Sequence, residues 1–221
     1  MCGRYSLFVN SEQLMERFNL DLSEKFILEE RYNIAPSQDV FALVGSNTGK
    51  RAGKLKWGLV PSWAKDPKIG YKMINARAET VNEKPSFKKL LKRRRCIIIA
   101  DGFYEWKKEA ATKLPYRFQL KTREPFAFAG LWDRWESDGQ LIHSCTIITT
   151  EANAVVKDIH DRMPVILTKE AEEVWLDRSL EDDAYLKGLL RPYAAEEMEK
   201  YQVSSLVNSP KNDTKEIINS L

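Results

Sequence analysis

The stretch CIIIADGFYEW, residues 96–106, runs from an unbroken apolar segment through a glycine-containing bend into a cluster of aromatics. Consecutive isoleucines favour extended backbone, and a short apolar run without polar alternation reads as a strand buried on both faces. Upstream, PSFKKLLKRRR (85–95) places Phe87, Leu90 and Leu91 on one helical face and a basic rim on the other. DVFALV (39–44) and GKLKWGLV (53–60) read as strands paired around the turn-prone GSNTGK, a pairing that Pro61 ends. Downstream, PYRFQL, PFAFAGLW and LIHSCTIITT are sheet strands separated by TRE and ESDGQ turns, and MPVILT is one more. Two further helices are expected. SEQLMERFNL starts at Ser11 as N-cap, with Leu14, Met15 and Phe18 on one face; KEAEEVWLDR is capped by Thr168, with Val174 and Trp175 inward. Roughly seven strands and three or four short helices, without β-α-β alternation, predict an α+β fold. Its core is an antiparallel or mixed, barrel-like sheet with short flanking helices. No repeat or boundary interrupts it, so residues 1–221 are read as a single domain.

The composition excludes several classes. The 221 residues are 43% hydrophobic and 30% charged, a globular balance. No run approaches the roughly 18 apolar residues of a membrane span, and no apolar signal segment opens the chain. A cytoplasmic protein without a membrane partner is expected, with a monomer as the default. Cys2, Cys96 and Cys145 are an odd number without C-x-x-C spacing, which argues against disulfides and zinc. Cys96 and Cys145 sit in apolar strands and read as buried small hydrophobes; only Cys2 is placed to react. Residues 1–167 carry 28 basic and 20 acidic side chains, net +8, whereas 168–200 carry 5 and 10, net −5. That asymmetry suits a polyanion but is ordinary for a soluble surface. P-loop, Rossmann, H-E-x-x-H and G-x-S-x-G patterns are absent, so neither a cofactor nor a metal is expected.

Polar residues break the packing pattern in four places: RYNIAP (31–36), MINARAE (73–79), ADGFYEW (100–106) and DIHDRMP (158–164). Asn75, Arg77 and Glu79 alternate with apolar residues and share one strand face, either a site or a solvated edge. Glu105 lies between aromatics, where burial would raise its basicity, unless a neighbouring lysine pairs with it at the surface. His160 is a catalytic or a structural histidine; His143, in a strand, reads as structural. A fifth feature is the opening MCGRY. Removal of Met1 would leave Cys2 with an α-amine and a thiol on adjacent carbons, a 1,2-aminothiol that no internal cysteine offers.

Together these segments resemble the SOS response-associated peptidase (SRAP) family, whose members crosslink to abasic sites in DNA. The matching blocks are MCGRY (1–5), RYNIAPSQ (31–38), KWGLVPSWAKD (56–66), INARAET (74–80), FKK…RRRCIIIADGFYEWKK (87–108), DIHDRMPVIL (158–167) and QVSSLVNSPKND (202–213). They span nearly the whole chain in order, and only LDLSEKFILEE (20–30) reads as an insertion. The resemblance implies one α+β domain with a barrel-like core and a basic groove for single-stranded DNA containing abasic sites. It makes Cys2 the nucleophile, with Asn75, Glu105 and His160 around it, and Arg4, Asn33, Trp63, Arg77 and Arg162 as DNA contacts. Self-processing peptidase activity and a lyase side reaction are also implied.

The chemistry agrees with those residue types. An α-amine titrates near 7.7–8.0, against about 10.4 for lysine, so a usable fraction is neutral at pH 7. It can attack the aldehyde of a ring-opened abasic sugar, and the thiol can then close a thiazolidine, which lysine cannot do. Proton transfers accompany each step. Glu105 is expected to accept protons, His160 to titrate near neutrality and donate to the sugar oxygen, and Asn75 to orient. The alternative is an N-terminal-nucleophile cysteine amidase or peptidase, in which the amine serves as base for the thiol. A plain single-strand binder is the third.

Overall fold

The structure, a computed structural model, describes residues 2–20, 29–47, 49–109 and 112–221. Met1, most of the insertion-like segment 20–30 and Thr48 of the GSNTGK turn lie outside the described residues.

Five strands close on themselves. β3 (Asp39–Ser46) pairs antiparallel with β4 (Gly49–Trp57) and with β6 (Arg95–Ala100). β6 continues onto β9 (Phe126–Ser137), and β9 onto β10 (Gln140–Glu151), both antiparallel. β10 returns to β4 in parallel, with Cys145 opposite Trp57. The closure leaves no free edge among these five and buries Ile97, Ile98, Ile99, Phe128, Leu131 and Cys145 completely. Gly130, where β9 sits between β6 and β10, is required by close approach: a Cβ there would lie 2.2 Å from Ile98 Cδ1.

A second sheet is antiparallel throughout, in the order β13 (Met198–Gln202), β8 (Thr112–Leu120), β7 (Gly102–Glu109), β1 (Tyr5–Leu7), β2 (Arg31–Ile34). The chain passes from barrel to second sheet at Asp101-Gly102, the bend in the segment read first. Buried Asp101 accepts from Ser6 Oγ at 2.6 Å, the Phe8 N–H at 2.5 Å and Arg117 Nη2 at 3.1 Å, so three strands are tied at the corner. Arg117 lies across Gly102, where a Cβ would stand 2.4 Å from Nη2.

Short elements cover the rest. α1 (Ser11–Phe18) is capped by Asn10, whose Oδ1 accepts from the Gln13 N–H at 2.8 Å; the expected cap, Ser11, is the first helical residue instead. α2 (Pro85–Arg93) buries Phe87, Leu90 and Leu91, and α4 (Asp183–Gly188) buries Leu186. α3 (Lys169–Leu176) is capped by Thr168 and buries Trp175, whose Nε1 donates to the Cys96 carbonyl. Beside Trp175 the helix buries Glu172 rather than Val174, because Arg17 meets that carboxylate at 2.6 and 3.0 Å. The MPVILT segment divides into β11 (Arg162–Pro164) on β10 and β12 (Ile166–Leu167) on β9, with Val165 bonded to both neighbours. β5 (Asn75–Arg77) joins β10 in parallel, Asn75 opposite Ile147. The described residues hold thirteen strands, more than expected, because pieces of two or three residues carry no periodicity of their own.

Candidate active site

β1 delivers Cys2. It lies between β2 and β7, and the register that sets Tyr5 opposite Phe103 brings Gly3 opposite Glu105 when extended by two residues. Asn75 Nδ2 donates to the Cys2 carbonyl oxygen at 2.8 Å. The amide can reach because β5 is fixed against β10 by parallel pairing and by the Ile147 N–H to Ile74 carbonyl bond. Cys2 is not an exposed thiol, as its position in the sequence suggested; it is fully buried in the main core, its Sγ 3.9 Å from the Arg4 carbonyl. Burial drives the thiol well above its ordinary range, with the Glu105 charge adding to the effect.

Glu105 follows Phe103 on one face of β7, while Tyr104 and Trp106 point to the other and pack with Tyr32, Val203 and Val207. At 3% exposure its carboxyl is pushed up to about 7, first by desolvation and further by Asp161. His160 ends a turn of chain organised by Asn153, whose Oδ1 accepts from the N–H groups of Val155 and Val156 at 3.1 Å. Burial lowers the imidazole below its usual 6.5. Its Nδ1 lies 3.0 Å from the Arg162 N–H and 3.1 Å from Asp161 Oδ1. These contacts ask for opposite protonation. The Arg162 carbonyl, 3.2 Å from the same nitrogen, sides with Asp161, so the surroundings of Nδ1 accommodate either tautomer. Glu105 and His160 line one open cleft of about 370 Å³, with Trp106, Lys108, Lys113 and Asn208. A proton acceptor poised near neutrality and a neutral imidazole therefore share a space beside the residue whose carbonyl Asn75 holds.

The residues expected to touch DNA divide. Trp63 is 60% exposed in a turn, and Arg77 is exposed at the end of β5. Arg4 Nη1 bonds Asn33 Oδ1 at 2.8 Å and the Val207 carbonyl at 2.7 Å, with its guanidinium over Trp106. Asn33 is fully buried, and its Nδ2 serves the carbonyls of Val207, Ser209 and Asn212. In this structure it straps the C-terminal loop where the sequence reading expected a contact surface. Arg162 grips Glu79 at 2.6 and 3.0 Å and the Thr149 carbonyl at 2.7 Å. Glu79 is not on the β5 face with Asn75 and Arg77; it follows in the short 3₁₀ turn Ala78–Thr80, and its bond to Arg162 lowers its carboxyl.

Sequence reasoning gave no role to the loop 204–213. Asp213 accepts from the Tyr32 and Asn33 N–H groups at 2.5 and 2.8 Å and pairs with Arg31 Nε at 2.5 Å, while Asn208 Oδ1 accepts from Trp106 Nε1 at 2.7 Å. Its signal was the run of short Asn, Asp and Ser side chains after the last long strand, which satisfy main-chain groups.

A family model described as SOS response associated peptidase (SRAP) matches residues 1–210. The chain is 54% identical over 226 residues to abasic site processing protein YoqW of Bacillus subtilis (strain 168), with both chains covered in full. It is 39% identical over 189 residues to abasic site processing protein HMCES of Gallus gallus, covering 74% of this chain and 56% of that one. A crystal structure of a Bacteroides thetaiotaomicron protein is similar at 32% identity and a TM-score of 0.87, again over the full length of both chains. The chain belongs to the SOS response associated peptidase (SRAP) family.

Proposed function

We propose that this protein processes abasic sites by covalent capture in single-stranded DNA, using Cys2 as the N-terminal residue once Met1 is removed. The freed α-amine attacks C1′ of the ring-opened sugar, and loss of water gives an imine. The thiol sulfur then adds to the imine carbon, its proton passes to nitrogen, and a thiazolidine closes. Intramolecular closure of this kind gains effective molarities on the order of 10⁵ M or more.

The observation that carries this reading is the 2.8 Å bond from Asn75 Nδ2 to the Cys2 carbonyl, which fixes the backbone from which the amine extends. The buried thiol suits the second role: it stays protonated and shielded until an imine forms beside it. Glu105, titrating at about 7, takes the proton lost from the amine or sugar hydroxyl. His160 protonates the departing sugar oxygen from its imidazolium form, a minority at pH 7 because burial lowers the ring below its usual 6.5. Trp63 stacks on a base, worth about 1–3 kcal/mol, and Arg77 pairs with a phosphate. Arg162 reaches DNA only by exchanging Glu79 for phosphate, whereas Arg4 and Asn33 act by holding the 204–213 loop. Shielding of the lesion, self-processing at Met1 and limited strand cleavage from the imine belong to the same reading.

A uracil-containing single strand treated with uracil glycosylase provides the test. Protein that has lost Met1 by intact mass is expected to give a shifted band on a denaturing gel, and Cys2→Ala none. Cys2→Ser separates the amidase alternative, since hydrolysis tolerates an alcohol while a stable sulfur–nitrogen ring does not. A shifted band of undiminished yield from Cys2→Ala defeats the proposal.

A further inference from the structure

We infer that Lys108 on β7 and Lys113 on β8 form, with Asn208, a phosphate-binding subsite at the mouth of the cleft, taking a phosphodiester next to the captured sugar. The DNA ligand rests on the function proposed above; the anion preference rests on geometry.

β7 and β8 pair antiparallel in a register that sets Lys108 directly opposite Lys113. Like charges directly across a ladder repel, and an anion bound between them relieves that repulsion. The preceding lysine shows the contrast: Lys107 Nζ is paired with Glu109 at 2.7 Å. Among the described residues no carboxylate pairs with Lys108 or Lys113, and both are exposed.

Their position adds the second argument. Both lysines line the 370 Å³ cleft that holds Glu105 and His160, along the edge of β7 beyond its pairing with β1. Asn208 lines it too, and because its Oδ1 is taken by Trp106 Nε1, its Nδ2 donors are left for the cleft. Two ammonium groups and an amide N–H around one opening fit a phosphate oxygen far better than a neutral group. A sugar seated against Glu105 and His160 carries a phosphodiester on either side, which brings the anion to the lysines.

The test uses undamaged single-stranded oligonucleotide, so that it does not depend on covalent chemistry. Affinity is followed by fluorescence anisotropy between about 50 and 200 mM salt, where each phosphate neutralised on a single strand contributes about 0.7 to the slope of log K against log salt. The double variant Lys108→Ala/Lys113→Ala is expected to lose about 0.7 or more from that slope. Lys107→Ala should keep the parent slope, and Lys108→Arg/Lys113→Arg should keep it as well, which separates charge from misfolding. An unchanged slope in the double variant, an equal fall in Lys107→Ala, or a parent protein that does not bind the strand overturns the subsite. Absence of covalent capture by a parent protein that passes the slope test would defeat the thiazolidine reading and leave the subsite standing.

Discussion

Glu105 couples the proposed chemistry to stability, because the burial that raises its carboxyl to about 7 also sets a stability penalty. Its carboxyl titrates at about 7 in the folded chain against 4.5 ordinarily. A group raised in this way does not destabilise the fold below pH 4.5, and becomes progressively destabilising as pH rises to 7 and the buried site ionises. Glu105→Gln is therefore expected to be more stable than the parent above pH 7, on the order of 3 kcal/mol, with the difference vanishing below pH 4.5. Thermal melts across that range measure it. The same variant should lower the capture rate by about 10²-fold or more and remove the inflection near pH 7 from its pH profile. Asn75→Ala tests positioning: losing the Cys2 carbonyl contact should slow capture while costing about 1 kcal/mol of stability. Asn75, Glu105 and His160 stood out as polar groups in the sequence, but their proposed roles came from the family resemblance rather than from any local pattern. The depth of Cys2 was not legible there, since burial depends on which strands cover a terminus.

At the scale of elements, the candidate site depends on polar clamps between segments far apart in the chain. Asp213 holds β2 through two main-chain N–H groups and Arg31, and Asn33 on that strand holds the 204–213 loop in return. Asp213→Ala should destabilise the protein by about 2 kcal/mol, since charged hydrogen bonds contribute more than neutral ones. Hydrogen exchange should show faster exchange at residues 31–34 and 204–213, where a purely global effect would raise exchange everywhere. The Glu79–Arg162 pair joins the 3₁₀ turn Ala78–Thr80 to β11 and, through the Arg162 N–H, to the ring of His160. Lys187 Nζ donates to the Glu79 carbonyl oxygen at 2.8 Å, so α4 supports the same corner. Long strands and α2 were read correctly from periodicity. Two- and three-residue strands were not, because their hydrogen bonds come from a partner already in place rather than from a local pattern.

Across the whole molecule, a closed barrel and a five-stranded sheet share the Asp101-Gly102 corner, and Arg117 and Asp101 form an ion pair there with 2% and 3% exposed side chains. Removing one member of a buried pair strands the other charge. Asp101→Asn is expected to cost about 3–5 kcal/mol, seen as a lower denaturant midpoint, because Arg117 would remain buried. Gly130→Val should prevent soluble folding, since its Cβ would meet Ile98 at the junction of three barrel strands.

By itself the sequence determined the fold class, the long strands, the apolar face of α2 and the identity of the polar intruders. These follow from local propensity and from periods of two and 3.6 residues, which a chain carries before it folds. Tertiary structure alone decided that β4 and β10 meet in parallel to close the barrel, that Cys2 is buried beneath its neighbours, and that Lys108, Lys113 and Asn208 share a cleft with Glu105 and His160. Closure, burial and shared solvent space are relations between segments distant in sequence. They arise only when packing has set the distances, and no local pattern encodes a distance.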